Sequence, residues 1–332
     1  MNLVFFKKNI KSIFKLCYKY FLNKQYPFVV ALRLNDFCNL TCTYCDSYQY
    51  KENIDFNRLK VFLDKVYQSG CRLYILTGGE PFFYKNRDLL MDWFRNKNAY
   101  LVINTNGQLI ENEKYKKFIA SADDVLVSVD GAESVNDLHR GAGTYNNIIK
   151  TLDFLKKEKI KITLSAVLTK KNFSIEQLKH LMFLKKKYKA TIGICPMTSD
   201  GRINNKTNYN ELRLGSDELS QLDQFISGHA RVFSEFTKNL LNYIQQPKPF
   251  HCKTMKYALY VDVDNNIYPC INVTGRTDAV VSNIDKYNFD VAENVFCTKC
   301  SCLPLITANQ YFNKQMSIVD ITKNIFQRYF RF

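Results

Sequence analysis

Six short apolar runs recur between residues 29 and 197, most of them separated by a stretch of helical period, and this alternation constrains the fold more than any other feature. The runs are VVALRL (29–34), RLYILTG (72–78), AYLVINTNG (99–107), DDVLVSVDG (123–131), KITLSAVLT (161–169) and ATIGICPM (190–197). FNRLKVFLDKVYQSG and YNNIIKTLDFLKKEK are two of the intervening segments, with apolar residues three and four apart. Near-continuous apolar strands alternating with amphipathic helices predict a parallel sheet covered by helices. Six such units predict an α/β fold, a partial (β/α)6 barrel, whose chemistry gathers at the carboxyl ends of the strands.

Four unusual segments fall at those ends. CNLTCTYC (Cys38 to Cys45) follows the first strand and TGGEP (77–81) the second, while TNG (105–107) and SVDG (128–131) close the third and fourth. Glycine and proline turns are common, so the last three gain weight only by converging on one rim. The cysteines carry more information. Three thiolates are one short of the four that saturate a structural zinc or a closed iron–sulfur cluster. A distant fourth cysteine would complete a zinc site; otherwise, a four-iron cluster on three thiolates keeps one iron open for a chelating ligand.

Cys38-x-x-x-Cys42-x-Tyr44-Cys45 after a first strand, with GGEP after the second, resembles the signature of the radical S-adenosylmethionine (radical SAM) superfamily, from about residue 28 to the C-terminus. The resemblance implies that Cys38, Cys42 and Cys45 hold a [4Fe–4S] cluster whose open iron takes the methionyl end of S-adenosylmethionine. It places Tyr44 near the adenine, and Gly78 and Gly79 where backbone approaches the ligand. Glu80 is expected at the ligand's ammonium and Pro81 as a stiffener of the turn. Ser128 and Asp130, with Thr105 and Asn106, are candidates for the ribose or carboxylate. Arg140, in NDLHRGAGTY, either faces the carboxylate or is a solvated loop arginine. The implied chemistry is reductive cleavage of S-adenosylmethionine to a 5′-deoxyadenosyl radical that abstracts hydrogen. The electron comes from an external one-electron donor such as flavodoxin or ferredoxin.

A second cysteine set lies near the C-terminus: Cys252, Cys270, Cys297 and Cys300, with Cys302 close behind. YALYVDVDNNIYPC alternates on either side of Asn265–Asn266 and predicts a β-hairpin, since Asn tolerates the left-handed turn conformation. Spacing alone favours zinc there. The arrangement is similar to the Twitch and SPASM extensions of radical SAM enzymes, and SDGR (199–202) resembles the bridge into them. That resemblance implies an auxiliary [4Fe–4S] cluster and a net oxidation, with Cys302 a possible replacement for Cys300. Cys195 either packs in the core or faces the site as a hydrogen-atom donor. Cys71 is expected to be buried.

The expected organisation is a basic amphipathic N-terminal helix (1–27), a core (28–215) and a bridge with the auxiliary domain (216–332). In the first 24 residues, Leu3, Phe6, Ile10, Ile13, Phe14, Cys17 and Phe21 share one helical face, and Lys8, Lys11, Lys15 and Lys19 share another. Such a helix suits an anionic membrane surface or the protein's own body. The net charge of +16 favours anionic partners. Eleven cysteines, an odd number clustered at metal-ligand spacings, argue against a disulfide framework. No apolar run approaches the roughly 18 residues of a membrane span, and no signal peptide is evident. A cytoplasmic protein, peripheral at the inner membrane face in one reading, is expected. The substrate is expected to be a small molecule, a glycan or a lipid-linked group. Peptide maturation is the alternative, disfavoured because 27 residues before the first strand leave no room for a winged-helix module. A nucleic-acid-binding iron–sulfur or zinc protein would give GGEP no purpose, and no nucleic acid partner is expected.

Overall fold

The computed structural model describes residues 27–49, 51–197, 208–229, 250–252, 258–270, 280–288 and 295–297. The expected amphipathic helix, the SDGR segment, Cys300 and Cys302 lie outside these residues. Six strands, β1 (Val29–Arg33), β2 (Leu73–Thr77), β3 (Tyr100–Thr105), β4 (Asp124–Ser128), β5 (Lys161–Leu168) and β6 (Thr191–Pro196), pair in parallel in chain order. Helices α1 (Phe56–Ser69), α2 (Arg87–Arg95), α3 (Glu113–Ala120), α4 (Glu133–Arg140), α5 (Thr144–Lys157) and α6 (Ile175–Tyr188) connect them, and α7 (Ser216–Gly228) follows. All six expected strands are present, each within three residues of its expected bounds.

Local chemistry accounts for the elements. Asp55 caps α1 by accepting from the Arg58 backbone N–H at 2.9 Å, and Gly70 ends the helix at φ +115°. Between these caps Leu59, Phe62, Leu63 and Val66 form the buried stripe. The strands alternate: Val30, Leu32, Tyr74, Leu76, Ile103, Val125, Val127 and Leu164 are buried in the core shared with the helices. Alternate positions, among them Ala31, Ile75, Asn104, Ser128 and Ser165, are half-buried, and Gly193 is exposed. These face away from the helices, onto the inner side of the curled sheet.

The sheet continues past β1. Strand β8 (Ala258–Val261) pairs parallel to it, Val29 opposite Ala258 and Leu32 opposite Val261. Strand β9 (Asn266–Tyr268) returns antiparallel, and β10 (Ser282–Asn283) pairs with β9, giving nine strands in the order β10-β9-β8-β1-β2-β3-β4-β5-β6. The expected hairpin is thus hydrogen-bonded to the first barrel strand. Asn265 holds its turn at φ +65°. The Asp262 carboxylate accepts from the Asp264 and Asn266 backbone N–H groups at 3.0 and 2.9 Å. Separately, β7 (Phe250–Cys252) and β11 (Val295–Cys297) form an antiparallel ribbon. No helix among the described residues is long and apolar enough to cross a membrane.

The hairpin turn makes a direct prediction. Asn265→Val places a β-branched residue in the left-handed region and should cost about 1–2 kcal/mol, whereas Asn265→Gly should be neutral or stabilising. Denaturant midpoints of the two variants check this.

Candidate active site

The loops after β1 and β2 are held together by backbone. Leu34 N–H donates to the Thr77 carbonyl at 2.9 Å, Gly79 N–H to that of Asn35 at 2.9 Å, and Glu80 N–H to that of Phe37 at 2.8 Å. The strand pairing therefore runs on until residue 37, immediately before Cys38. A Cβ on Gly78, at φ +151°, would collide with the Asn35 carbonyl, and one on Gly79 with the Phe37 carbonyl. The two glycines permit this close approach of the chain to itself. Asn35 Nδ2 reinforces it by donating to the Glu80 carbonyl at 3.0 Å.

Glu80 points inward and is fully buried. Its carboxylate accepts from Thr105 Oγ1 at 2.9 Å, the Asn106 N–H at 2.9 Å and the Phe82 N–H at 3.3 Å. Burial pushes its carboxyl up to about 7 despite these bonds. Pro81 starts the helical turn Pro81–Phe83, where its missing N–H is not needed. Glu80 thus stitches the β2 loop to the β3 loop. Asn106 carries the connection onward, because its Nδ2 donates to Asn39 Oδ1 at 2.8 Å and lies 3.5 Å from Cys38 Sγ.

A second buried network ties the cysteine loop to β4. Asp130 is fully buried; its Oδ2 accepts from the Tyr44 hydroxyl at 2.6 Å and Arg140 Nε at 2.7 Å, and its Oδ1 accepts from the Val167 N–H at 3.0 Å. Arg140 is 6% exposed at the end of α4, which corrects the alternative reading of a solvated loop arginine: pairing with Asp130 offsets its desolvation. Ser128, the last residue of β4, stays half-buried on the inner face.

Sequence reasoning missed His139. It is buried, with Nδ1 2.7 Å from Thr43 Oγ1 and Nε2 3.1 Å from Thr169 Oγ1, bridging the cysteine loop to the end of β5. It missed Arg33 too, which is buried and paired with the equally buried Asp36 at the base of that loop. A lone charge inside an apolar run, as in VALRL, was the available signal for Arg33; nothing local marked His139.

The three cysteines share one loop, with the Cys45 N–H donating to the Cys42 carbonyl at 3.0 Å, and none forms a disulfide. Burial pushes the Cys38 thiol up to about 12 and the Cys42 thiol up to about 11, and raises that of Cys45. Arg140 works against this at Cys42, and Arg33 and Arg140 do so at Cys45. Among the described residues no Cys, His, Asp and Glu side chains converge as a single-ion cage. Of the C-terminal set, Cys270 is buried just beyond β9, and Cys252 and Cys297 lie on the β7–β11 ribbon. Cys71 is fully buried, as expected; Cys195 sits on β6, half-buried and on the same face as Gly193.

Residues 32–184 match the radical SAM superfamily. The Fe-coproporphyrin III synthase of Methanosarcina barkeri is 33% identical over 152 residues, which cover 43% of this chain and only 38% of the synthase. A cysteine-type anaerobic sulfatase-maturating enzyme of Clostridium perfringens is 25% identical over 266 residues, 70% of this chain and 71% of that enzyme. The structure of Streptococcus suis SuiB bound to S-adenosylmethionine superposes with a TM-score of 0.65 at 18% identity, covering 89% of this chain and 70% of SuiB. That likeness is one of fold.

Two expectations follow. Asp130→Asn strands the buried Arg140 and should cost about 3–5 kcal/mol; adding Arg140→Met should recover most of it, as read by urea denaturation. Gly79→Ala pushes the Phe37 carbonyl away and should lower the iron retained per chain, measured by colorimetric iron assay, more than it lowers the far-ultraviolet helix signal.

Proposed function

With residues 32–184 constituting a radical SAM domain, we propose that this chain is a radical enzyme that oxidises a polypeptide side chain by two electrons. The reach of the sulfatase-maturating match supports a polypeptide substrate. Its 266 aligned residues must extend well beyond the 153-residue domain span, whereas the 152 residues matched to the porphyrin enzyme need not.

The donor set fits an iron–sulfur cluster. Three soft sulfur ligands share one loop, Cys42 buried and Cys38 and Cys45 half-buried, where an uncompensated thiolate is costly, and two arginines favour the charged form. Cys38, Cys42 and Cys45 would hold a [4Fe–4S] cluster, which together with S-adenosylmethionine would supply radical abstraction of hydrogen from carbon. The chain's own residues do the positioning. Tyr44, Asp130 and Arg140 lock the loop against β4, and Gly78, Gly79, Glu80 and Pro81 lock it against β2 and β3. Thr105 and Asn106 hold Glu80, and Ser128 stays open on the inner face for a ligand hydroxyl or carboxylate. Ala31, Ser165 and Gly193 leave room on that face for an extended chain bearing one reacting side chain.

Cys252, Cys270, Cys297 and Cys300, or Cys302 in place of Cys300, are assigned to a second cluster, the acceptor that a two-electron outcome requires. Residues 1–27, 28–215 and 216–332 are kept as helix, core and extension. An external flavodoxin or ferredoxin supplies the initiating electron. A small-molecule substrate is the second reading, favoured by the 33% identity to the porphyrin enzyme.

Anaerobic reconstitution with iron and sulfide should give about eight irons per chain. The triple variant Cys38→Ala/Cys42→Ala/Cys45→Ala should keep about four and lose S-adenosylmethionine cleavage; a chain that takes only zinc overturns the assignment. With S-adenosylmethionine and dithionite, a cysteine- or serine-bearing peptide should emerge lighter by two hydrogens. Turnover of coproporphyrin with no peptide product would instead establish the second reading.

A further inference from the structure

Strands β1 to β6 all begin at the end of the barrel opposite Cys38, Cys42 and Cys45, and one sector of that end is strongly basic. Helices α5 and α6 terminate side by side there. The segments 156–161 and 185–189 carry eight lysines against one glutamate. Lys156, Lys157, Lys159, Lys186, Lys187 and Lys189 are exposed. Lys156 Nζ donates to the Lys187 carbonyl at 2.9 Å, so the two clusters are one surface. The ammonium groups of Lys156 and Lys187 lie 5.7 and 4.9 Å from the centre of the Tyr188 ring, which relieves their mutual repulsion.

Lysine in the last turn of a helix is explained by the helix dipole. That explanation does not extend to Lys159 and Lys189. Both stand past their helices in the left-handed region, at φ +58° and +52°, where glycine is the usual residue. The other non-glycine residue with positive φ among those described is Asn265, a type that tolerates it. Twice, at adjacent junctions, the chain places a cation against its backbone preference.

We propose that this lysine rim docks on an anionic lipid bilayer, leaving the loop of Cys38, Cys42 and Cys45 directed away from the membrane. Two further observations favour lipid over an acidic protein or nucleic acid. Phe183 on α6 is 58% exposed, with Lys179, Lys186 and Lys187 four before, three after and four after it. An exposed aromatic ringed by lysines is the composition of a membrane-interface contact. The chain also enters β1 at this same end, and the sequence leading into it is rich in Phe and Lys. The proposal is independent of the enzyme's substrate.

Cosedimentation of the full-length protein with phosphatidylcholine vesicles, with and without phosphatidylglycerol, tests it. The parent should bind only the anionic vesicles, and less well as salt rises. Lys159→Gly/Lys189→Gly removes two charges while relieving the backbone. It should melt no lower than the parent yet lose affinity by roughly five-fold per lysine. Lys51→Gln/Lys171→Gln, which removes two charges at the opposite rim, should bind as the parent does. Equal binding by the rim variant and the parent, or equal binding to neutral vesicles, overturns the proposal. So does a rim variant that loses a DNA duplex held by the parent but keeps its vesicle binding.

Discussion

The arrangement of the candidate site depends on one buried carboxylate. Asp130 receives the Tyr44 hydroxyl from the cysteine loop, the Arg140 guanidinium from α4 and a backbone N–H from β5. The cysteine loop buries Cys42 and Tyr44 in a small apolar cluster with Met197 and Leu212. Polar contacts with the scaffold fix its conformation further, and in a buried setting each of those is costly to leave unmade. Asp130 supplies one anchor. The Glu80 carboxylate supplies another through Asn106, and His139 a third through Thr43.

The fold was legible in the sequence because period and burial coincide. Strand β5, whose alternate residues are buried along its whole length, and α1, whose apolar residues recur three and four apart, announce themselves without tertiary information. Asn265 was legible as a turn for the same local reason. What lay beyond local reading was the partner of each polar residue. Gly78 and Gly79 read as making room for a ligand, yet the atoms a side chain would strike belong to Asn35 and Phe37. Glu80 read as reaching for an ammonium, and its oxygens accept from Phe82, Thr105 and Asn106. Apart from the Phe82 contact, both assignments turn on contacts between residues 25 to 43 positions apart, which no window of sequence displays.

Arg140 illustrates the reverse case. Its surroundings in sequence, with a glycine on either side of Ala142, look like a solvated loop. The helix that carries it packs inward, and one ion pair reverses the reading. The site belongs to a chain whose likeness to sulfatase-maturating enzymes and to SuiB extends well beyond the cysteine loop, so the loop and the strands beyond β6 are features of one framework.

Strand β1 is bonded along both edges, by β2 on one side and β8 on the other. Cys270 lies two residues beyond Tyr268, whose partner is Tyr260, and so falls toward the level of Val29, while Cys38 lies past the far end of the same strand. At about 3.3 Å per residue, β1 acts as a ruler between Cys270 and Cys38. Their separation is therefore written into a hydrogen-bonded ladder. Strand β8 cannot swing away from the cysteine loop like a hinge without breaking its ladder with β1.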